Sequence, residues 1–531
     1  KRPLLPARCD TEVLVHGFEA WGEELPVRLR GMFAFAAYDR SRDRLLLARD
    51  RLGIKPLYLH RQGERLVFGS EVRALLASGL VETAVDVSLI DTFVTLGYVP
   101  QADTLFAGIR KLRPGFLLVA DGKGIVERKY WHAERAPRLE LGYDEAKERL
   151  LDLLIETTRL HLMSDVPLGV FLSGGVDSSA VAAIMRRRLG CDVRTFSIGY
   201  GDDPASSELP QAAKVARHLD TDHHELILTH RDFFDGLDAL LEHAEEPVVE
   251  SAAVALMQLA RFAREHAIVL LSGEGADEVF AGYDLYDTMR RLDRIRRAVP
   301  VLRAKPVREL LQVVVRTEKL RKYVDWLQAD LGERYRGISS DVTDSVRRRM
   351  YTRELRAQAG ASVDRLFEGL FDEARDLDPL AQMQYVDLKT WLADDLLLKA
   401  DKMTMAASIE LRVPFLDHEV VELGLGLPTR HKLRRGVGKR LLKEALEPML
   451  PKDILYRPKQ GFPVPIARWF RHDLHERVRE VLLDPGSLRR GYFRPRYVER
   501  VLSRHRRGRE DLSRRIFTLL TLELWHRRYV D

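Results

Sequence analysis

Ser173-Gly174-Gly175-Val176-Asp177-Ser178-Ser179 follows the apolar run 166–172 and opens the apolar stretch 180–185, so it reads as a strand, a glycine turn and a helix start. Two adjacent glycines let the backbone turn its N–H groups toward one point. Three serine hydroxyls add donors, and the new helix places its positive end there. Such a cradle suits phosphate. It is not a Walker A loop, because no Gly-Lys-Ser/Thr follows to reach a β/γ-phosphate.

Outward from this loop, apolar periodicity predicts helix 143–163, strand 168–172, helix 178–189, strand 193–198, helix 208–219, strand 223–228, helices 232–243 and 251–266, and strand 267–271. That alternation is α/β and predicts a mostly parallel sheet covered on both faces. A ligand belongs at the carboxyl ends of its strands, where the loops 173–179, 198–203 and 272–278 converge. Beyond 284 the pattern is almost wholly helical. Before 137 the texture differs: a helix at 11–21 behind Asp10, then short strands at 32–38, 44–48, 56–60 and 66–69 that read as an antiparallel meander. Helices at 70–78 and 88–96 follow, then a proline- and glycine-rich passage, 100–124, and a linker at 137–142.

With 531 residues, 45% of them hydrophobic, the chain has material for two domains, divided here as 1–136 and 143–531. No apolar segment approaches a membrane span. Cys9 and Cys191 are too few for a disulfide framework or a thiolate metal site, and they fit free thiols in the cytoplasm. Lys and Arg total 86 against 80 Asp and Glu, so no nucleic-acid partner is implied. The arginine-rich stretches 290–322 and 488–528 carry apolar residues at helical spacing and read as solvated helix faces.

A second turn, Ser272-Gly273-Glu274-Gly275-Ala276-Asp277-Glu278, follows the buried strand 267–271. Three carboxylates within five residues repel one another unless a cation sits among them. Mg²⁺ on a pyrophosphate supplies one, with Asp177 and Asp277 as its ligands, since this ion takes a few carboxylates together with phosphate oxygens and water.

The first loop resembles the PP-loop of the ATP pyrophosphatase family, whose members cleave ATP between the α and β phosphates and adenylate a substrate oxygen. With the second turn, Gly282-Tyr283, Leu411-Arg412-Val413-Pro414-Phe415-Leu416-Asp417 and Arg457-Pro458-Lys459-Gln460-Gly461-Phe462, the chain resembles the glutamine-dependent asparagine synthetase family over nearly its whole length, and β-lactam synthetases more loosely. The resemblance implies that Leu172, Ile198, Ser272 and Gly273 contact the adenylate and that Ser173, Gly174, Gly175, Asp177, Ser178 and Ser179 hold pyrophosphate. Glu274 matches the glutamate needed around the acyl-AMP, orienting the carboxylate or assisting ammonia attack. Lys459 matches the lysine near the reacting phosphate. The helix bearing Asp394, Asp395 and Lys399 matches the border of the acceptor pocket. The implied small molecules are ATP, aspartate, and glutamine or ammonia, and the family also admits a homodimer.

The N-terminal part resembles a class II glutamine amidotransferase domain, an Ntn-type αββα sandwich, through Gly31-Met32-Phe33-Ala34-Phe35, the stretch from Ala48 to Tyr58, and Gly69-Ser70-Glu71. The match begins partway into that domain, whose nucleophile is an N-terminal cysteine. Cys9 is not at the matching position, whereas Asp10 matches the aspartate that binds the glutamine amino group. As written, the sequence is expected to use free ammonia without hydrolysing glutamine, its first part having been lost from a longer product. Three other readings remain: a related amidotransferase or cyclase acting on another carboxylate, suggested by Glu245-Glu246-Pro247-Val248-Val249-Glu250 where relatives carry Asp-Glu-Pro and a later Asp; a PP-loop enzyme of tRNA modification; and a non-catalytic scaffold.

Overall fold

Leu45, Leu46, Leu47 and Ala48 point alternately to the two faces of one strand, β2 (Arg44–Arg49), and both faces are covered. The structure, a computed structural model, describes residues 10–299, 301, 318–340, 342–359, 362–458 and 463–531; Cys9 and Lys459 lie outside them. One antiparallel sheet runs β1 (Ala34–Asp39), β2, β6 (Phe116–Asp121), β7 (Gly124–Lys129), and a second runs β4 (Arg65–Gly69), β3 (Tyr58–Gln62), β5 (Ile109–Lys111). Leu47 and Leu118 of the first meet Leu57, Leu59 and Leu112 of the second between the layers. Leu46 and Ala48 instead face Leu14 and Phe18 of the helix Asp10–Trp21. Tyr58 and Val67 carry the opposite face of the second sheet to Val72, Leu75 and Phe93 on the helices Val72–Ala77 and Ile90–Leu96. The result is the layered αββα arrangement that the resemblance implied.

Two expectations are corrected. The early strands are not one meander, because β2 pairs with β6 and β3 lies in the other sheet. The connection between them is folded back by polar contacts: Asp50 accepts from the N–H groups of Leu52, Ile54 and Lys55, while Arg49 donates to the carbonyls of Gly53, Lys55 and Leu112. The passage 100–124 contains β5, β6 and the start of β7, whose shortness between turn residues hid their alternation.

The second half is built on a parallel sheet, β10 (Asp222–Leu228), β9 (Arg194–Tyr200), β8 (Leu168–Phe171), β11 (Val269–Leu271), β12 (Glu410–Arg412). From β8 the chain adds strands on one side to β10, then crosses to the other with β11, so the strand order reverses between β8 and β11. That reversal opens a crevice at the carboxyl ends of these two strands. Strand β12 interrupts the almost wholly helical pattern beyond 284: Leu411 is paired to Leu270 from far earlier in the chain. No described helix is long and apolar enough to cross a membrane.

The halves are joined by paired charges. Lys55 meets Asp401 at 2.5 Å and Lys111 meets Asp394 at 3.0 Å. Glu245 accepts from the N–H groups of Val72 and Arg73 and also takes Lys402. Glu246 accepts from Leu105 N, and Trp131 donates to Glu422.

In the helical part, Asp387 on the helix Pro379–Lys389 accepts from Tyr286 at 2.6 Å and Tyr335 at 2.5 Å, all three fully buried. Burial outweighs those hydrogen bonds and pushes Asp387 up to about 7. The folded state therefore holds this proton more tightly than the unfolded chain, and the group's stabilisation, complete below about pH 4, is lost as pH rises through about 7. Asp387→Asn keeps an acceptor and removes the titration. Urea midpoints should show the variant gaining on wild type by on the order of 2–4 kcal/mol between pH 4 and pH 8; a pH-independent difference would contradict this.

Candidate active site

The loops leaving β8 and β11 form the floor of a cleft of about 580 Å³, a volume suited to a nucleotide and a small second substrate. Leu172 N donates to Phe196 O, and Ser197 Oγ donates to Leu172 O, fixing the end of β8 against β9. Ser173 Oγ then accepts from Gly175 N at 3.2 Å and meets Ser178 Oγ at 3.1 Å, so the serines tighten the turn onto the helix Val176–Ala183. The two glycines differ in role. Gly174 has φ +70°, and a Cβ there would lie 2.6 Å from the backbone of Gln211 and Ala212. Gly175 has ordinary backbone geometry and faces the cleft, where an added Cβ meets Ser173 Oγ alone, at 3.2 Å. Across the floor, a Cβ on Gly273 would lie 2.6 Å from Asp177 and Ser178 N, which measures how closely the two loops abut.

Of the nucleotide residues expected from sequence, Leu172, Ser173, Gly175, Asp177, Ser178, Ile198, Ser272 and Gly273 line the cleft, as do Glu274, Asp277 and Lys399. Gly174 packs instead against the helix Leu209–Leu219, and Ser179 is fully buried in its own helix. Asp10 opens the first helix, exposed, and is not among the lining residues. Lys459 lies outside the described residues, immediately after Arg457 and Pro458, which reach the cleft wall.

A cation that sequence reading passed over sits at the phosphate end. Lys439 Nζ donates to Asp177 Oδ2 at 2.6 Å and lies 2.7 Å from Asp277 Oδ1. Burial opposes its charge, but the two carboxylates prevail and hold its pKa above the ordinary lysine value. Its local signal was Gly436-Val437-Gly438-Lys439 opening the helix Arg440–Leu446, a glycine-flanked lysine at a helix start. Lys443, one turn on, also lines the cleft, and burial with Lys439 beside it lowers its pKa. Glu208 and Arg457, 2.6 Å apart, close the same end.

The opposite end is carboxylate-rich. Burial raises the pKa of Glu274; Lys399 opposes that rise, and Asp277, Glu250 and Asp177 add to it. Lys399 keeps its proton despite burial because Glu250, Asp395, Glu274 and Glu278 surround it. Burial likewise pushes Asp395 up against the pull of Lys399. Tyr283 donates to Glu278 at 2.5 Å and accepts from Trp391 Nε1, and both rings form the wall here. Of the three residues grouped from sequence, Lys399 lines this cleft, whereas Asp394 and Asp395 do not; both border a smaller cavity on the other side of Lys399. Asp394 accepts from Gln101 N at 2.6 Å and pairs with Lys111, whereas the cation acting on Asp395 is Lys399, because adjacent helical residues point in different directions. Among the described residues no cluster of three or more His, Cys, Asp or Glu is arranged to hold a metal ion without other ligands.

The contrast between the glycines is testable. Gly174→Ala should lower stability by roughly 1–3 kcal/mol through its left-handed backbone and the clash with 211–212. Gly175→Ala should unfold at nearly the wild-type temperature yet bind magnesium–ATP at least about tenfold more weakly, because its methyl occupies the phosphate approach. Calorimetric melting and titration of the two variants separate these effects; unchanged ATP affinity in Gly175→Ala would place the phosphate elsewhere.

Comparison with known proteins agrees with this geometry. The asparagine synthase family matches residues 149–527, and the glutamine amidotransferase domain matches residues 3–131. Asparagine synthetase [glutamine-hydrolyzing] 1 of Bacillus subtilis is 33% identical over 519 residues, which span 97% of this chain and 80% of that protein. Asparagine synthetase [glutamine-hydrolyzing] 3 of the same organism is 30% identical across 86% of this chain and 70% of its own length. Amidase chry2 of Gibberella zeae is 26% identical across 89% of this chain and 75% of its own length. On the extent of these matches, with the phosphate loop, the second glycine turn and the sandwich all in place, the chain belongs to the asparagine synthase family.

Proposed function

We propose that this protein amidates a carboxylate at the expense of ATP, through an acyl-AMP intermediate, and that aspartate is the acceptor, giving asparagine, AMP and pyrophosphate. The observation that carries the reading is the polarity of one cleft: the glycine turn with its serines and Lys439 at one end, and Lys399 among Glu250, Glu274 and Glu278 at the other. An amino acid fits the second end, its carboxylate toward Lys399 and its ammonium toward the surplus carboxylates. In this reading residues 1–136 form the amidotransferase unit and 143–531 the synthetase unit.

The turn 173–179 holds the β and γ phosphates, while Leu172, Ile198, Ser272 and Gly273 seat the adenylate. An oxygen of the acceptor carboxylate attacks the α-phosphorus, the bond to the bridging oxygen breaks, and pyrophosphate leaves. Asp177 and Asp277 would hold a magnesium ion, which when bound neutralises charge on the departing pyrophosphate. The pair suits that role because Lys439 already shows the spot between them to be cationic, and glycines at 273 and 282 leave no room for side chains there. Lys459 stabilises charge passing from the α-phosphate to the leaving group. Ammonia then attacks the acyl carbon and AMP departs. Glu274, whose raised pKa brings it nearer neutrality, takes the proton shed by the incoming nitrogen.

A second reading keeps this chemistry with a different carboxylic acid. Glu250 favours it, because it reaches the acceptor end of the cleft as a glutamate in a stretch where the resemblance implies an aspartate, and amidase chry2 is similar over most of the chain.

Incubation with ATP, ammonium and aspartate should yield asparagine and pyrophosphate; pyrophosphate formed with other amino acids in place of aspartate would select the second reading. Lys459→Ala should slow aspartate-dependent exchange of labelled pyrophosphate into ATP by on the order of 10²–10³. Amide product should be lost in both Lys459→Ala and Glu274→Ala. Full exchange by Lys459→Ala would remove that residue from the mechanism.

A further inference from the structure

The carboxylates assigned to magnesium already hold a cation that belongs to the chain. Lys439 Nζ reaches Asp177 Oδ2 at 2.6 Å and Asp277 Oδ1 at 2.7 Å, so lysine and metal claim the same oxygens. An ammonium and a divalent ion compete for them, because the two repel each other and each is drawn to the same oxygens. This lysine is not a surface side chain that strays into the site. Its backbone N–H donates to Phe280 O at 3.1 Å, and its own φ is +53°. Gly438 is pressed on Ala281 O, where a Cβ would come to 2.3 Å, and a Cβ on Gly282 would lie 2.2 Å from Lys439 Cε. The lysine itself is buried. A non-glycine residue in the left-handed region, locked from two sides, marks an ammonium that the fold has placed deliberately.

We propose that Lys439 is an exchangeable counter-ion: without nucleotide it neutralises Asp177 and Asp277, and it yields those oxygens to the magnesium that arrives with ATP, its ammonium turning to the phosphates. The inference rests on the assignment of Asp177 and Asp277 to magnesium made above. Free metal must displace a bound ammonium and leave it facing a dication. Metal carried by a polyphosphate brings the oxygens that receive the displaced ammonium. The site thus discriminates against the bare ion and accepts the metal–nucleotide complex as a unit.

The test uses Mn²⁺ as the probe on the full chain, with bound metal counted by electron paramagnetic resonance, alone and with ATP or pyrophosphate. Wild type should bind Mn²⁺ weakly alone and at least about tenfold more tightly with pyrophosphate. Lys439→Met should gain about tenfold or more in affinity for Mn²⁺ alone, a gain abolished by adding Asp277→Asn, whereas Lys439→Arg should stay weak because it keeps the charge. Wild type binding Mn²⁺ as tightly without pyrophosphate as with it would overturn the proposal and needs no variant. No gain in folded Lys439→Met, with Mn²⁺–ATP binding still weakened by Asp177→Asn and Asp277→Asn, would overturn the exchange and leave the metal assignment standing. Mn²⁺–ATP binding indifferent to Asp177→Asn and Asp277→Asn would remove the metal assignment and the exchange with it.

Discussion

Two carboxylates from loops far apart in the chain, Asp177 and Asp277, are brought to face one point, and the fold is arranged to make that tolerable. Like charges so close disfavour ionisation of both unless a cation intervenes. Lys439 supplies it, and placing that ammonium requires the turn 436–439 to lie on the backbone of 280–282. Gly273 lets the second loop touch the first, and Gly282 leaves space for the lysine stem. The helical C-terminal part is thus tied into the floor of the cleft by charge as well as by apolar packing.

The far end of the cleft solves a different electrostatic problem. Lys399 is surrounded by more carboxylates than it can neutralise, which is the surplus the proposed function assigns to a substrate ammonium. Behind it, Asp394 and Glu246 are taken up by Lys111 and by Leu105 N, which belong to the N-terminal half. The acidic residues of neighbouring positions therefore divide between cleft and interface. Glu245, which departs from the Asp-Glu-Pro that the resemblance implies, and Glu246 sit on the interface side, whereas Glu250 reaches the cleft.

What the sequence disclosed and what it concealed follow one physical line. The strand, glycine turn and helix at 168–183 are local, each set by neighbours within a few positions, and the structure matches them to within a few residues. The β8–β11 crevice followed from alternation and the rule for open parallel sheets. Strand β12 was not legible, because Glu410-Leu411-Arg412 is too short to show a period and becomes a strand by pairing with β11. The two-layer sandwich was half legible: hairpins announce themselves, but which hairpin pairs with which is decided by a buried turn around Asp50 and Arg49. Gly-Val-Gly-Lys before Lys439's helix is a phosphate-compatible signal, masked by an almost wholly helical pattern beyond 284. Asp394 and Asp395 looked alike as letters and parted because a helix turns between them.

Strand β12 has a consequence for how the protein is made. Leu270 and Leu411 lie side by side in the finished sheet, yet a ribosome delivers the second on the order of ten seconds after the first. Through that interval β11 has β8 on one flank and an open row of backbone donors and acceptors on the other, facing the crowded surroundings of a nascent chain. The floor of the cleft is therefore assembled late, after about half of the helical part has emerged, and a chain halted before residue 412 carries both glycine loops on a sheet whose edge remains open to any strand that meets it.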